Sequence, residues 1–474
     1  MMKMVLDTSD AATGASDRSA LNQGEILHIG FDDTDSISGK CTTHVAFKIT
    51  TYLLKSHAQF LDYPLLVRLN PNVPLKTRGN GAVCLRVRVR DHERVIQDSK
   101  QLIEEGSAIG MGANPAVAFL EGGQVPETLR EFGGLAMFDI LSKQKAENIA
   151  QKNCIRYFTF GKGHGLVGSL AAIGNLLDGD HTFEAIAYRR RENYGTSRRI
   201  HAPTVIKYDN NTFPHTFNNY DNSHDRVLIA PHGPDPVLCG IRGENPEVVV
   251  SSLDWLQPGE SLEGYMVFRS NQGTNMHLQN ELNLSRIGVY TSGYVRCKVI
   301  TKPETIRGGH VFFKIEDSAN CSCLAAVYEP TGLTKIASLL EIGDIVEIGC
   351  GTKGAAGVGQ RLLNVEYISI VKTVNVYDLS NPFCKYCSKR MKSEGKDKGF
   401  ECASCRYKDG KAKKIPSLKN RYILPGLYVP SPKSHRHLTK PIHRYIVVKS
   451  LGFRKPKLFR RWFFSSTEKL VAGG

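Results

Sequence analysis

No run of about 18 or more apolar residues interrupts this 474-residue chain, so no segment is long enough to cross a bilayer as a helix. Residues 1–25 are small and polar (SDAATGASDRSA) and lack the charged-then-apolar order of a secretion signal; they read as a flexible leader. No internal repeat occurs. The chain also lacks the composition of a disordered one, since 41% hydrophobic residues at this length supply cores for several domains. A cytoplasmic protein with no membrane contact is expected. Net charge is missing too from most of the length. The formal +16 is carried entirely from Arg406 onward, where 18 Lys/Arg face only Asp409 and Glu468. That basic segment, 411–474 for the most part, contains Tyr422, Tyr445, Phe459, Trp462 and Phe463 and suits a phosphate backbone with unstacked bases. A solvated tail would have the same composition.

Cysteine is used in two ways. Eight of the twelve are scattered singly or as Cys321-Ser-Cys323, as buried thiols commonly are. The other four form Cys384-Lys-Tyr-Cys387 and Cys402-Ala-Ser-Cys405, two knuckles near the spacing of a structural zinc ribbon over 380–410. Four thiolates leave no open coordination position, so such a zinc holds a fold rather than performing chemistry. Two redox dithiols are the alternative, but no thioredoxin-like strand and helix pattern surrounds either pair.

Patterning divides the remainder. Residues 26–150 mix strand-like runs, Glu25 to Phe31 and Ala82 to Val89, with helical stretches from Thr43 to Ser56 and Asp91 to Glu105. Residues 155–280 repeat the mixture, opening on Gly161-Lys-Gly-His-Gly165 and an apolar helix from Leu166 to Leu177. Over 285–375 short β-rich runs dominate, with a helix expected from Gly332 to Leu340, the pattern of a small OB-type barrel. Barrel, ribbon and positive charge together point to RNA or DNA as partner.

The chemistry-bearing stretch is His28-Ile-Gly-Phe-Asp-Asp-Thr-Asp-Ser36. A strand delivers Asp32, Asp33 and Asp35 to a loop, where three carboxylates repel unless a cation or hydrogen-bond donors offset them. Hard oxygen ligands suit Mg²⁺, with water and nucleotide phosphates completing its shell. An EF-hand is excluded because its twelfth position, residue 43, is Thr. Asp33 or Asp35 capping a turn or helix is the plainer reading. Gly39 to Thr43 then opens a helix whose free amides can face an anion. It is no Walker loop, since the required earlier glycine falls on Thr34. Lys76-Thr-Arg-Gly-Asn-Gly81, with cations Lys76 and Arg78 and glycines Gly79 and Gly81, and the stretch bearing Gly163 and Gly165 are further candidate phosphate cradles.

Gly30-Phe-Asp-Asp-Thr-Asp-Ser36, Gly39-x-Cys-Thr-Thr43, Arg68-Leu-Asn-Pro71, Lys76 to Gly81, Gly163 to Ala172, Ala187-Tyr-Arg189, Gly240-Ile-Arg-Gly-Glu244 and Gly308-Gly-His-Val-Phe-Phe313 together closely resemble the archaeal synthetases that form 2-agmatinylcytidine in a minor isoleucine tRNA. The ribbon and His435-Arg-His-Leu-x-Lys-Pro441 fit as well, so the resemblance spans all but the leader and about the last thirty residues.

The resemblance implies a multidomain α+β chain: a kinase-like domain, a ferredoxin-like domain that receives agmatine, an OB fold, a zinc ribbon and the basic tail. It implies ATP, Mg²⁺ and structural Zn²⁺ as cofactors, and the CAU-anticodon isoleucine tRNA and agmatine as partners, with no obligate protein partner. The carbonyl at position 2 of the wobble cytidine would be activated by phosphorylation, ATP would become AMP, and agmatine's amine would displace the phosphate so that the tRNA reads AUA. It further implies that Thr42 is phosphorylated by the enzyme itself, while Thr42 or Thr43 as an N-cap stays open. Lys40 departs from the family's methionine there and carries no family role. For agmatine, Glu184, Asp221 and Glu244 are candidate acceptors and Tyr188 a stacking face. Two rivals remain: a non-enzymatic OB-fold and ribbon nucleic-acid binder, which leaves the carboxylates unexplained, and a small-molecule kinase, which leaves the basic segment idle.

Overall fold

A computed structural model describes residues 24–74, 76–77, 79–234, 236–353, 361–446 and 457–466. Its first half is built on an 11-stranded sheet. In chain order the main elements are β1 (Glu25–Asp32), α1 (Thr42–Lys55), β2 (Leu65–Arg68), β3 (Gly81–Val89), α2 (His92–Gly106), β4 (Ala116–Glu121), α3 (Glu127–Leu135), α4 (Lys143–Lys152), β5 (Arg156–Thr159), α5 (Leu166–Gly174), β6 (Thr182–Arg189), β7 (Val237–Gly243) and β8 (Leu262–Ser270). The sheet runs β5-β4-β1-β3-β2-β8-β6-β7 and ends on the short strand Thr216–Phe217.

Alternation explains how β1 is held. Leu27, Ile29 and Phe31 face one core with Val45, Phe47 and Leu53 of α1 and Ile96 of α2. His28 and Gly30 face the other side, where α5 crosses so closely that a β-carbon on Gly30 would lie 2.2 Å from the Ser169 carbonyl. Buried Arg86 of β3 donates to the carbonyls of Ile173 and Asn175, satisfying the end of α5.

The two mixed blocks share this one sheet. They meet where β8 runs parallel to β2 through Arg269↔Leu65 and Ser270↔Leu66. At the join, buried Arg269 pairs with buried Asp62 and donates to the carbonyls of Leu176 and Leu177, so that the charge is both countered and hydrogen-bonded. The boundary at 150–155 moves: β5 pairs with β4 and α5 packs on β1, β3 and β4, so both complete the first half. A strand with only one free sheet edge to join goes where the hydrogen bonds are, whatever block its composition suggests.

Beyond these lies a five-stranded closed barrel, with Ser292–Val299 pairing with both Ile345–Lys353 and Val311–Glu316. The helix expected over 332–340 is a single turn, Thr334–Ala337, after a turn through left-handed Gly332. Three short strands carry the cysteine knuckles, beginning with Lys392–Ser393. Among the eight scattered cysteines only Cys84, Cys239, Cys297 and Cys350 are buried; Cys154 is exposed, and Cys41, Cys321 and Cys323 are intermediate.

The basic segment is not a free tail. Residues 431–445 strap the barrel to the first half, and Phe463–Ser465 adds a strand to β8. Trp462 is buried with its ring 5.1 Å from Phe60, and Phe459 and Phe463 pack on the same core. The Tyr445 hydroxyl accepts from Asn275. These aromatics are structural, which corrects their assignment to base stacking; Tyr422 alone of the set is largely exposed.

Candidate active site

A cavity of about 430 Å³ opens between the two halves of the sheet. Asp32, Asp33, Asp35, Thr42, Thr43, Lys76, Gly79, Gly81 and Glu184, all singled out from sequence, line it. Arg78 lies outside the described residues.

The acidic loop is tightly constrained. β1 ends at Asp32, whose Oδ1 accepts the Asp33 amide at 2.7 Å. Asp33 takes a left-handed φ of 58°, rare for a residue with a side chain, and its Oδ2 accepts the Asn114 amide at 3.3 Å. Asp35 accepts from Thr77 at 2.7 Å, tying the loop to the Lys76 to Gly81 stretch. Loss of water pushes Asp32 up to about 8, with the neighbouring carboxylates adding to the shift. Burial likewise pushes Asp33 up to about 6, and Asp35 reinforces it.

The start of α1 supplies the opposite polarity. Cys41 is the N-cap and makes no side-chain capping bond, so neither Thr42 nor Thr43 has that role. Thr42 Oγ1 instead accepts from buried Thr34 at 3.1 Å. The first-turn amides and the absence of acids in that turn favour an anion. Lys40 faces away, donating to the carbonyls of Glu105 and Ser107 at the end of α2.

The glycines divide by purpose. Bare α-carbons at Gly79 and Gly81 make room for the Arg68 guanidinium, whose Nη1 would be 2.7 Å from a β-carbon at either. Arg68 Nε is buried with no hydrogen-bond partner among the described residues. Gly163 and Gly165 are not in the lining. A β-carbon on Gly165 would meet the Asp32 carbonyl at 2.5 Å, so this glycine lets α5 approach β1. Gly39 sits in the Ser36–Gly39 turn with open space around it.

Of the agmatine candidates only Glu184 reaches the cavity, where it accepts from Arg242 Nε at 3.1 Å and from Gln272. Tyr188 is fully buried and donates to the Thr43 carbonyl, so it offers no stacking face. Asp221 accepts from Ser223 and Lys433 in a hairpin, and Glu244 pairs with Arg444 of the strap. Both are satisfied internally. Arg68, Arg242, His164 and His437 complete the polar lining. Their motifs stand in the sequence, but nothing local to them signals convergence from distant segments.

At the ribbon, the four Sγ atoms lie within 4.8 Å of one another, Cys384 to Cys405 at 3.4 Å and Cys387 to Cys402 at 3.3 Å. Four sulfurs around one zinc at about 2.3 Å would stand about 3.8 Å apart, so this donor set fits. Backbone amides of Cys405 and Ser404 hold the Cys402 thiol down at about 6.

Three domain families match the chain: the TiaS TCKD domain over residues 28–99, the TiaS FLD domain over 163–277 and the TiaS C-terminal zinc ribbon domain over 381–423. The tRNA 2-agmatinylcytidine synthetase TiaS of Cenarchaeum symbiosum, which acts on a minor isoleucine tRNA, is 42% identical over 421 residues, 89% of this chain and 93% of that protein. That of Thermofilum pendens is 39% identical over 88% of this chain and 94% of its own. A crystal structure of TiaS in complex with that isoleucine tRNA and ATP matches with a TM-score of 0.79 at 33% identity, covering 92% of this chain and all of that one. The complex of TiaS with the same tRNA, AMPCPP and agmatine matches with a TM-score of 0.77 at 32% identity, covering 89% and 97%.

Proposed function

This chain belongs to the TiaS family of tRNA 2-agmatinylcytidine synthetases, and from that membership we propose how its cavity performs the reaction. The protein is an ATP-dependent ligase that joins agmatine to the minor isoleucine tRNA. The observation that carries the reading is the cavity shared by the two halves, with the acidic loop and α1 start on one wall and Glu184 and Arg242 on the other. A binding module has no need of such a chamber.

Residues 26–150 with β5 and α5 form the kinase-like part, the second half the ferredoxin-like part, and the barrel an OB fold. ATP lies with its phosphates toward the α1 start, Arg68 and Lys76. Asp32, Asp33 and Asp35 hold Mg²⁺, which when bound would offset phosphate charge. Their fit is supported by burial and mutual repulsion, which raise Asp32 and Asp33 and which a cation between the carboxylates would offset. The thiolates of Cys384, Cys387, Cys402 and Cys405 hold structural zinc.

The wobble cytidine of the CAU-anticodon tRNA leaves the loop stack to enter the cavity, which costs least for an unpaired base. Its carbonyl oxygen is a poor leaving group until phosphorylation makes it depart as phosphate, and ATP ends as AMP. Thr42, in the cavity wall, is the residue the enzyme phosphorylates on itself. The tRNA puts the reaction in the cytoplasm.

Incubation with labelled ATP, agmatine and the isoleucine tRNA transcript tests this. Agmatine mass on one cytidine with AMP release, both lost in Asp33→Ala, is expected. ATP turnover indifferent to this RNA would overturn the reading.

A further inference from the structure

The reaction needs a group that takes a proton from the attacking amine, because an alkyl amine is protonated at neutral pH. The acidic loop is committed elsewhere: Asp35 accepts from Thr77, and Asp32 and Asp33 are the proposed metal ligands. Glu184 is occupied by Arg242 and Gln272.

His437 differs. It reaches the cavity from the strap beyond the ribbon, its backbone carbonyl fixed by the Gly273 amide at 2.8 Å. Its Nδ1 lies 2.9 Å from Gln272 Oε1 and 3.2 Å from Arg242 Nη2. The Gln272 amide group is turned by its bond to Glu184, so its oxygen faces the ring and Nδ1 carries the hydrogen. That tautomer leaves the lone pair on Nε2. This second nitrogen has no protein partner among the described residues and converges with Arg68 Nη1 over Gly79, where a β-carbon would be 2.8 Å from one and 2.7 Å from the other. A glutamate–amide–imidazole series that orients one nitrogen and leaves the other open to a chamber is how a general base is mounted.

We propose that His437 Nε2 is the base that accepts the proton released from the agmatine amine as it attacks carbon 2 of the cytidine. The inference rests on the synthetase reading above. In the step, the nitrogen lone pair forms the N–C bond, the C–O bond breaks with its electron pair going to the departing phosphate, and the nitrogen's proton passes to Nε2. Arg68, beside it, faces the charge that develops on the leaving oxygen. Burial, then the charges of Arg68 and Arg242, hold the ring well below its ordinary range, so it stands neutral and able to accept at physiological pH. Among the described residues, Glu184 is the acid wired to it, through Gln272.

The test compares the full-length protein with His437→Gln and His437→Ala on the isoleucine tRNA and ATP, using agmatine and its aminooxy analogue, whose nucleophilic nitrogen is unprotonated at neutral pH. With agmatine, kcat for modified nucleoside is expected to fall about 100-fold at an unmoved agmatine KM. The aminooxy nucleophile should lose only a few-fold, and added imidazole should restore His437→Ala. Equal losses with both nucleophiles, or a raised KM with kcat unchanged, would overturn the proposal. Absence of agmatinylated cytidine from the unsubstituted enzyme would instead overturn the reading on which it rests.

Discussion

Gly168 on the second turn of α5 faces Asp32 at the end of β1 so closely that a β-carbon there would lie 1.8 Å from the Asp32 carboxylate. The carboxylate is therefore positioned by a missing side chain. Gly168→Ala is expected to displace Asp32 and cut modification at least about 100-fold, since misplacements near 1 Å have that cost. Single-turnover nucleoside analysis, with circular dichroism to show a retained fold, checks it.

Arg68 has a buried Nε with no partner among the described residues, which suits an anion rather than a protein group. Arg68→Met is expected to weaken ATP binding by about 2 kcal/mol, the worth of a charge-assisted hydrogen bond. Titration calorimetry with Mg-ATP measures this directly. Arg68→Lys is expected to recover little, because one ammonium cannot reproduce a planar fork.

Glu366 of the barrel meets His277 at 3.0 Å and Arg436 of the strap at 3.1 Å. Burial opposes its charge, but His277 and Arg436 overcome that and hold it at about 2, below its ordinary 4.5. A lowered carboxylate stabilises the fold above its unfolded value and loses that contribution as pH falls from about 4.5 toward 2. Glu366→Gln is expected to cost about 3 kcal/mol at neutral pH and to flatten the acid limb. Thermal melts between pH 7 and pH 2 would reveal both effects.

Trp462 and Tyr422 make opposite predictions from one basic segment. Trp462→Ala empties a core site beside Phe60 and Tyr63 and should destabilise the first half by about 3–5 kcal/mol. Tyr422→Ala should leave melting unchanged, because the ring is 88% exposed. Denaturant titrations of the two variants decide the matter.

The four-sulfur cluster predicts one zinc per chain, released by thiol modification in a metal-indicator assay. Cys402→Ser should abolish it and expose residues 381–423 to proteolysis, since such a small unit has only Cys384, Met391, Phe400 and Cys402 as core.

Local signals read well from the sequence. The run from Glu25 to Phe31 alternates, the Asp32 to Asp35 cluster follows a strand, and both cysteine knuckles lie at ligand spacing. What failed to show was convergence. Tyr188 and Glu184 stand four residues apart on β6, yet one is sealed beneath Thr43 and the other lines the cavity; the neighbouring strands, not the spacing, decide which. Gly165 looks like a phosphate-cradle glycine until α5 is seen lying against Asp32. Trp462 and Phe463 sit among lysines and arginines whose charge suggests nucleic acid, and only the strand pairing with β8 reveals them as core.

The strap and the Phe463–Ser465 strand also bear on how the protein is made. The barrel and the ribbon are synthesised after β8 but before His437 and Trp462, the residues that finish the cavity wall and its supporting core. A chain still emerging from the ribosome thus carries the acidic loop and the α1 start without their closing wall. Translation must run through both RNA-facing modules before a working chamber exists, so an unfinished synthetase is kept from spending nucleotide on a tRNA it cannot yet hold.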